Sequence, residues 1–427
     1  MKTPIDLNNQ TILVTGSPGF IGASLVTRLL RELKGGTVVS LDSMNDYYDP
    51  ALKEYRLGLI GEEARRIAEA AGKTGDDAEA SGRPAAEKSA PEHVFIRGSI
   101  ADKALVDEVF AKYKPSVVVN LAAQAGVRYS IDHPEAYIES NLVGFFNILE
   151  ACRHSYDLCG RNTVAGQTVP GLTVSGPGAA GAGEAGAGNA AGEGEANAAG
   201  AAGAYRGVEH LVYASSSSVY GGNKKVPFSV DDPVDNPVSI YAATKKSNEL
   251  LAHSYAKLYN IPCTGLRFFT VYGPAGRPDM FYYLATKKLA AGGKIKIFNY
   301  GNCRRDFTYI DDIVEGVYRV MRGAPARETG EDGLPVPPYA IYNIGGGQPE
   351  NLLEFIRVLQ EELVAAGILP ADYDFEAHQE LVGMQPGDVP VTYADASALE
   401  RDYGFTPGIG IREGLRAFAQ WYREYAK

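Results

Sequence analysis

Gly16-Ser-Pro-Gly19-Phe-Ile-Gly22 follows directly on the short β-branched and apolar run Thr11 to Val14, and an amphipathic pattern continues from Phe20 to about Lys34. Strand, glycine loop and helix in that order lift a common glycine pattern to a dinucleotide-binding fingerprint. Gly16 permits the tight turn, Gly19 lets the backbone approach a pyrophosphate, and Gly22 lets helix pack on strand. The helix start offers free N–H groups and a positive dipole end to the phosphates. Pro18 cannot donate, so those contacts are expected from Phe20 and Ile21. A merely tight turn is the competing explanation, and the flanking strand and helix weigh against it.

Outward from that loop the same alternation repeats. Thr37 to Leu41 reads as the second strand, with Asp42 at its end. An acid about 20 residues past the last glycine accepts bonds from the adenosine ribose and repels a 2′-phosphate, which favours NAD over NADP. His93 to Arg97 is the third strand, and Gly98-Ser99-Ile100 marks the adenine edge. Val117 to Leu121 is apolar throughout, as a central parallel strand should be. Behind it, Ala122-Ala-Gln124-Ala-Gly-Val-Arg128 puts small residues where a backbone passes close to the cofactor, with Ala122 and Gln124 as contacts. Glu135 to His154 is a long helix carrying Asn141, a further candidate contact. These elements imply an α/β fold, a Rossmann-type doubly wound parallel sheet with a smaller C-terminal α/β substrate-binding domain. The expected division is 1–268 and 269–427, with some segments crossing back.

A second stretch carries chemistry. Val212 and Tyr213 end a buried strand, Ser215 to Ser218 leave it as a polar run, and a helical pattern from Ser239 to Leu258 holds Tyr241 and Lys245. Four residues apart on a helix, the two side chains share a face. An ammonium beside a phenol lowers its pKa, and a serine donor nearby can hold the oxygen whose proton that phenolate removes. A second Tyr-x-x-x-Lys, Tyr283 to Lys287, follows no serine strand and reads as a surface pair.

The bulk numbers narrow the class. A net charge of −11 argues against nucleic-acid or membrane-surface binding. The cysteines, 4 in all, are scattered without metal spacing and fit reduced thiols of a cytoplasmic protein. No histidine pairs at ligand spacing, so no metal is assigned, and no apolar run suits a signal peptide or membrane anchor. Residues 61–91 look like an extended surface helix and flexible insert. Residues 160–204 turn into Gly, Ala, Ser and Asn-rich sequence, read as a disordered loop insertion, and their low-complexity part, Ser175 to Ala204, cannot bury enough apolar surface to order itself. Arg304-Arg305-Asp306 could clamp a diphosphate, with a solvated charge cluster as an equal alternative.

Several runs together resemble the extended short-chain dehydrogenase/reductases, and among them the UDP-glucuronate 4-epimerases. These runs are Asn45-Asp-Tyr-Tyr-Asp-Pro50, Gln124-Ala-Gly-Val-Arg128, Ser215-Ser-Ser-Ser-Val-Tyr-Gly221, Arg304-Arg-Asp-Phe-Thr-Tyr-Ile-Asp-Asp312 and Met384-Gln-Pro-Gly-Asp388. The resemblance spans the chain apart from the two inserts. It implies Ser216 as hydroxyl donor, Tyr241 as base and Lys245 as its partner. By the same resemblance Arg128, Ser217, Ser218, Thr270, Arg277, Arg305 and Asp388 bind a UDP-sugar, and the chain forms a homodimer through the helices starting near Glu135 and Ser239. The implied reaction takes the 4-hydroxyl proton onto Tyr241 and the C4 hydride onto NAD, turns the 4-keto sugar, and returns both. Related dehydratases and decarboxylases carry an acid where Ser218 stands, which favours epimerisation alone. Ser99 replaces the aspartate usual in relatives, and Pro18 a commoner alanine. The alternatives are a 4-epimerase of a neutral UDP-hexose, a net dehydrogenase, and a non-catalytic NAD-binding regulator.

Overall fold

Seven runs rich in apolar and β-branched residues pair into one parallel sheet in the computed structural model, which describes residues 1–81 (backbone only over 73–81), 90–159, 205–384 and 389–426. The strands are β1 (Thr11–Thr15), β2 (Thr37–Asp42), β3 (Glu92–Arg97), β4 (Val117–Asn120), β5 (His210–Ser216), β6 (Cys263–Phe268) and β7 (Tyr339–Ile344). Their spatial order is β7-β6-β5-β4-β1-β2-β3, every neighbouring pair parallel. The order reverses between β1 and β4, so their carboxyl ends diverge into a crevice, the place where open α/β sheets bind ligands.

Alternate strand residues feed two cores. Ile12, Val14, Val117 and Val119 face one, Leu13, Val39 and Val118 the other, because successive side chains of a strand point to opposite faces. Helix α1 (Phe20–Glu32) and the start of α2 (Pro50–Ser81) cover the first face with Leu25, Leu29 and Leu52. Helices α3 (Lys103–Tyr113), α4 (Gly144–Leu158) and α5 (Ile240–Tyr259) cover the second with Phe110, Ile148 and Ala252.

After β6 the chain builds further elements beside the sheet. Thr270–Tyr272 pairs in parallel with the Arg304–Tyr309 strand, which Pro349–Asn351 flanks antiparallel. Helices α6 (Phe281–Ala290), α7 (Ile310–Met321), α8 (Leu352–Ala365) and α9 (Ile411–Tyr425) follow. Further along, β7 extends the sheet beside β6, and α7 packs on α1.

Two expectations need correction. The long helix is not uniform: a π-helical stretch, Ile138–Val143, precedes α4 and turns Asn141 into the interior. An inserted residue per turn is invisible to a 3.6-residue pattern. Tyr283 is no surface residue, being 7% exposed among Phe418, Trp421 and Tyr422 of α9; only Lys287 of that pair faces outward. The helix expected within 61–91 is present as far as Ser81, as the continuation of α2, and Glu63 near its start accepts from both Arg31 and Arg66; residues 82–89 lie outside the described residues. Residues 160–204 and Asp388 lie outside the described residues.

Candidate active site

The glycine loop sits at the crevice under close contact. Gly16 has φ +72°, and a Cβ there would stand 2.7 Å from the Ala122 backbone nitrogen. A Cβ on Gly22 would meet the Gly16 carbonyl at 2.2 Å. The turn thus tolerates only glycine at both places, and helix α1 starts from it with its first N–H groups directed at the crevice. Gly19, Phe20, Ile21, Asp42, Ser99, Ile100, Ala122 and Gln124 line the same cleft. This donor set suits a dinucleotide: free amides for the pyrophosphate, an acid for a ribose, and small residues beneath the rings.

Two of these positions carry detail the sequence does not show. Asp42 accepts from the Met44 N–H at 2.6 Å and from Lys53 Nζ at 3.4 Å. Lys53 also donates to Asn45 Oδ1 at 2.7 Å, so an acid and a lysine stand together at the ribose end. Asn141 is not among the residues lining the cleft. Its amide accepts from the Gln124 N–H at 2.8 Å and donates to the Gln124 carbonyl at 3.0 Å, which fixes the backbone behind β4.

Ser216 closes β5, and its Oγ caps the short turn Ser217–Tyr220 by accepting from the Ser218 N–H at 3.1 Å. Ser239 caps α5 in the same way, accepting from the Ala242 N–H at 3.1 Å. The cap fixes where α5 starts, and the helical period then places Tyr241 and Lys245 on one side. Tyr241 opens partly into the cleft, which Ser216 also lines. Lys245 is 2% exposed and donates to the Ala214 carbonyl at 2.8 Å.

The electrostatics differ from the simple expectation. Burial pushes the Tyr241 phenol up, while the Ser216 hydroxyl and the Arg277 charge pull it down. Burial also lowers Lys245, to about 7. Desolvation therefore outweighs the expected depression of the phenol, because both groups sit where charge is costly.

A second cleft, of about 900 Å³, adjoins the first and lies at the upper end of the range for small-molecule sites. Arg128, Ser217, Ser218, Thr270, Arg277 and Arg305 line it. Ser216, Tyr241, Tyr47 and Arg277 line both clefts, which puts the hydroxyl pair on the seam between them. The paired-arginine clamp is corrected: Arg305 faces the cleft, whereas Arg304 turns away and donates to the Pro349 carbonyl at 2.8 Å. Both lie on one strand, where neighbours point to opposite faces.

Sequence reasoning passed over three further groups. Arg277 grips Asp279 with a forked pair, its Nε 3.0 Å from Oδ1, and the Tyr47 hydroxyl donates to Oδ2 at 3.0 Å. Burial would raise the Asp279 carboxyl, but the Arg277 charge and these bonds hold it below its ordinary value. Glu249 lies one more turn along α5 from Lys245. It accepts from Ser215 Oγ at 2.7 Å and pairs both oxygens with Arg267, at 2.8 and 2.9 Å. Asp306, fully buried, accepts from the Gly346, Gly347 and Ala394 N–H groups and joins three chain segments beneath Arg305. Only Glu249 left a readable signal, since Tyr241, Lys245 and Glu249 keep a four-residue spacing.

Among the described residues no group of side chains could hold a metal, and no helix is long and apolar enough to cross a membrane.

The chain is similar to known proteins along nearly its whole length. Protein CapI of Staphylococcus aureus is 40% identical, covering 97% of this chain and 99% of that one. UDP-glucuronate 4-epimerase 4 of Arabidopsis thaliana is 36% identical over 98% of this chain and 76% of its own. Among solved structures, MoeE5 in complex with UDP-glucuronic acid and NAD is 26% identical, covers 97% of this chain and 99% of its own, and superposes with a TM-score of 0.63. The model of the NAD dependent epimerase/dehydratase family matches residues 12–345, and with the glycine loop, the strand order and the Tyr241–Lys245 helix in place, the chain belongs to that family.

Proposed function

We propose that this enzyme interconverts UDP-glucuronate and UDP-galacturonate by NAD-dependent epimerisation at C4. The observation that carries the reading is the position of Tyr241 and Ser216, which line the cofactor cleft and the second cleft at once. Relatives named as UDP-glucuronate 4-epimerases at 36% and 34% identity support the substrate.

In this reading bound NAD supplies the hydride acceptor and donor at the sugar carbon. Tyr241 removes the 4-hydroxyl proton and later returns it, and Ser216 holds the oxygen between those steps. Lys245, anchored on Ala214, keeps positive charge near the phenol as it ionises. Arg128, Ser217 and Thr270 fix the uronate carboxylate, and Arg277 and Arg305 offer charge to the carboxylate or the diphosphate. Fixed donors keep that carboxylate solvated while the 4-keto sugar turns, which suppresses loss of CO2. Ser218 is neutral, so the site lacks the extra acid that dehydration or decarboxylation needs.

We read residues 1–268 as the cofactor half and 269–427 as the sugar half, with β7 and α7 returned to the first. The working protein is a homodimer. Ile138, Val143, Phe146 and Leu250 stand 43–57% exposed on the π-helical stretch, α4 and α5, and a second copy would cover them. The free thiols suit the cytoplasm.

The deciding experiment incubates the purified protein separately with UDP-glucuronate and UDP-glucose. Formation of UDP-galacturonate without bulk NADH is expected; turnover of the neutral sugar alone would assign the substrate elsewhere.

A further inference from the structure

We propose that Arg56 is a fixed cation that retains the NAD pyrophosphate from behind the glycine loop, a positioning residue that acts through Pro18. Arg56 is 1% exposed, in the first turns of α2. Its Nη1 donates to the Pro18 carbonyl at 3.2 Å and to the Tyr48 hydroxyl at 2.7 Å. Nε and Nη2 donate to the carbonyls of Ala275 and Gly276, at 2.8 and 2.9 Å. Among the described residues every partner is a neutral oxygen.

That partner set is unusual for so buried a charge. The comparably buried Arg267 holds a bidentate carboxylate from Glu249, and buried Lys53 has Asp42. Lys245 lacks an acid too, but burial brings its pKa down to about 7, so its amine can give up a proton when the charge is costly. A guanidinium has no such escape. A buried cation without a counter-charge costs several kcal/mol, and an anion brought nearby repays part of that. The neighbouring anion site is the glycine loop, whose Pro18 Arg56 touches directly.

Carbonyl bonds alone do not explain the choice of residue. They staple the loop at Pro18 to the turn at Ala275–Gly276, just before Arg277, and a neutral amide could serve part of that purpose. The formal charge adds attraction for two phosphate charges across a loop with no lysine or arginine of its own. The inference rests on reading Gly16–Gly22 as the pyrophosphate seat.

Calorimetry on protein stripped of NAD tests it with three ligands: NAD, ADP-ribose and adenosine. Arg56→Gln should weaken NAD and ADP-ribose about tenfold or more, roughly 1.4 kcal/mol, and leave adenosine within about twofold. Arg56→Lys, which keeps the charge and loses the fork, should hold ADP-ribose within about threefold of the unaltered protein. Equal losses for all three ligands, or the same loss in the Lys and Gln variants, would make Arg56 a structural staple and overturn the proposal. Should Arg56→Gln fail to fold by circular dichroism, Arg56→Met is the second charge-free variant; failing both, the Lys result decides. If the unaltered protein binds adenosine as tightly as ADP-ribose, the pyrophosphate seat itself is misplaced, a different failure from that of Arg56.

Discussion

The two clefts that meet at Tyr241 are held in place by different physics. The cofactor cleft is the carboxyl edge of one hydrogen-bonded sheet: the glycine loop, Asp42, Ser99, Ala122 and Ser216 each follow a strand whose register the neighbours fix. The sugar cleft has a smaller frame, the short strands that carry Thr270 and Arg305. Its walls come from 126–132, 216–221, 268–281, 295–305 and 389–392, and individual side-chain contacts hold much of the rest. Arg277 depends on Asp279, which Tyr47 also holds, and Arg305 on the Pro390 carbonyl. Substitutions behind the first cleft should therefore register as stability, and those around the second as kinetics with little change in folding.

Tyr241→Phe strikes the seam and carries the largest effect. It removes the hydroxyl assigned as base at the meeting of the two clefts, so kcat should fall about 10²–10⁴-fold, with the melting temperature and bound NAD nearly unchanged. Chromatographic assay of UDP-sugar turnover beside absorbance of the released nucleotide checks both. Undiminished turnover would remove Tyr241 from the chemistry.

Glu249→Gln tests the sheet-built side. Glu249 and Arg267 are 1% and 2% exposed and joined by two bonds, so neutralising one partner strands the other. A loss of about 3–5 kcal/mol is expected in denaturant unfolding. Pairing it with Arg267→Met should recover part, since a stranded charge causes most of the damage. A variant as stable as the parent would mean α5 is not anchored through this pair.

How much could be read without coordinates follows the same division. Strand–loop–helix order fixes a local geometry, so Gly16, Gly19, Asp42 and the strands around them could be placed from their neighbours in the chain. The Tyr241–Lys245 spacing is likewise local, one turn of a capped helix. Tyr47 and Asp279 lie 232 residues apart, and nothing in either loop announces the other. Tyr283 is buried for a related reason, since its partners arrive from α9, far along the sequence. The π-helical stretch that turns Asn141 inward leaves the composition of its helix unchanged. Local rules thus reach as far as the sheet edge and stop at the sugar wall.

His210 probes the opposite edge of the same sheet. It is fully buried at the start of β5, with Nε2 2.8 Å from Thr264 Oγ1, and burial lowers its pKa to about 4. An unfolded histidine titrates near 6.5, so between pH 6.5 and 4 the unfolded chain binds a proton that the folded one refuses. Stability must fall as pH drops through that window, by about 2 kcal/mol at pH 5 relative to pH 7.5 from this group alone. His210→Gln should flatten that part of the pH dependence in urea titrations at the two pH values.

Asp279→Asn carries the smallest expected effect and separates the two clefts most cleanly. Tyr241 is faced by Ser216 from the end of β5, by Lys245 on its own helix, by the ring of Tyr137, and by Arg277 and Asp279 from the loop after β6. The Asp279 charge raises the phenol's pKa and the Arg277 charge lowers it. Neutralising Asp279 leaves Arg277 uncompensated, so the phenolate forms at lower pH and the rising limb of the kcat/KM profile should move to the acid side. The shift should stay below about one pH unit, the size expected of one partly screened charge. Asp279 bridges side chains and bonds to no strand of the sheet, so unfolding midpoints should barely move while KM for the uronate changes, because Arg277 is then free to hold its carboxylate more tightly. An alkaline shift would mean that Asp279 acts by holding Arg277 in place rather than by its charge. A large loss of stability would erase the distinction between the two clefts.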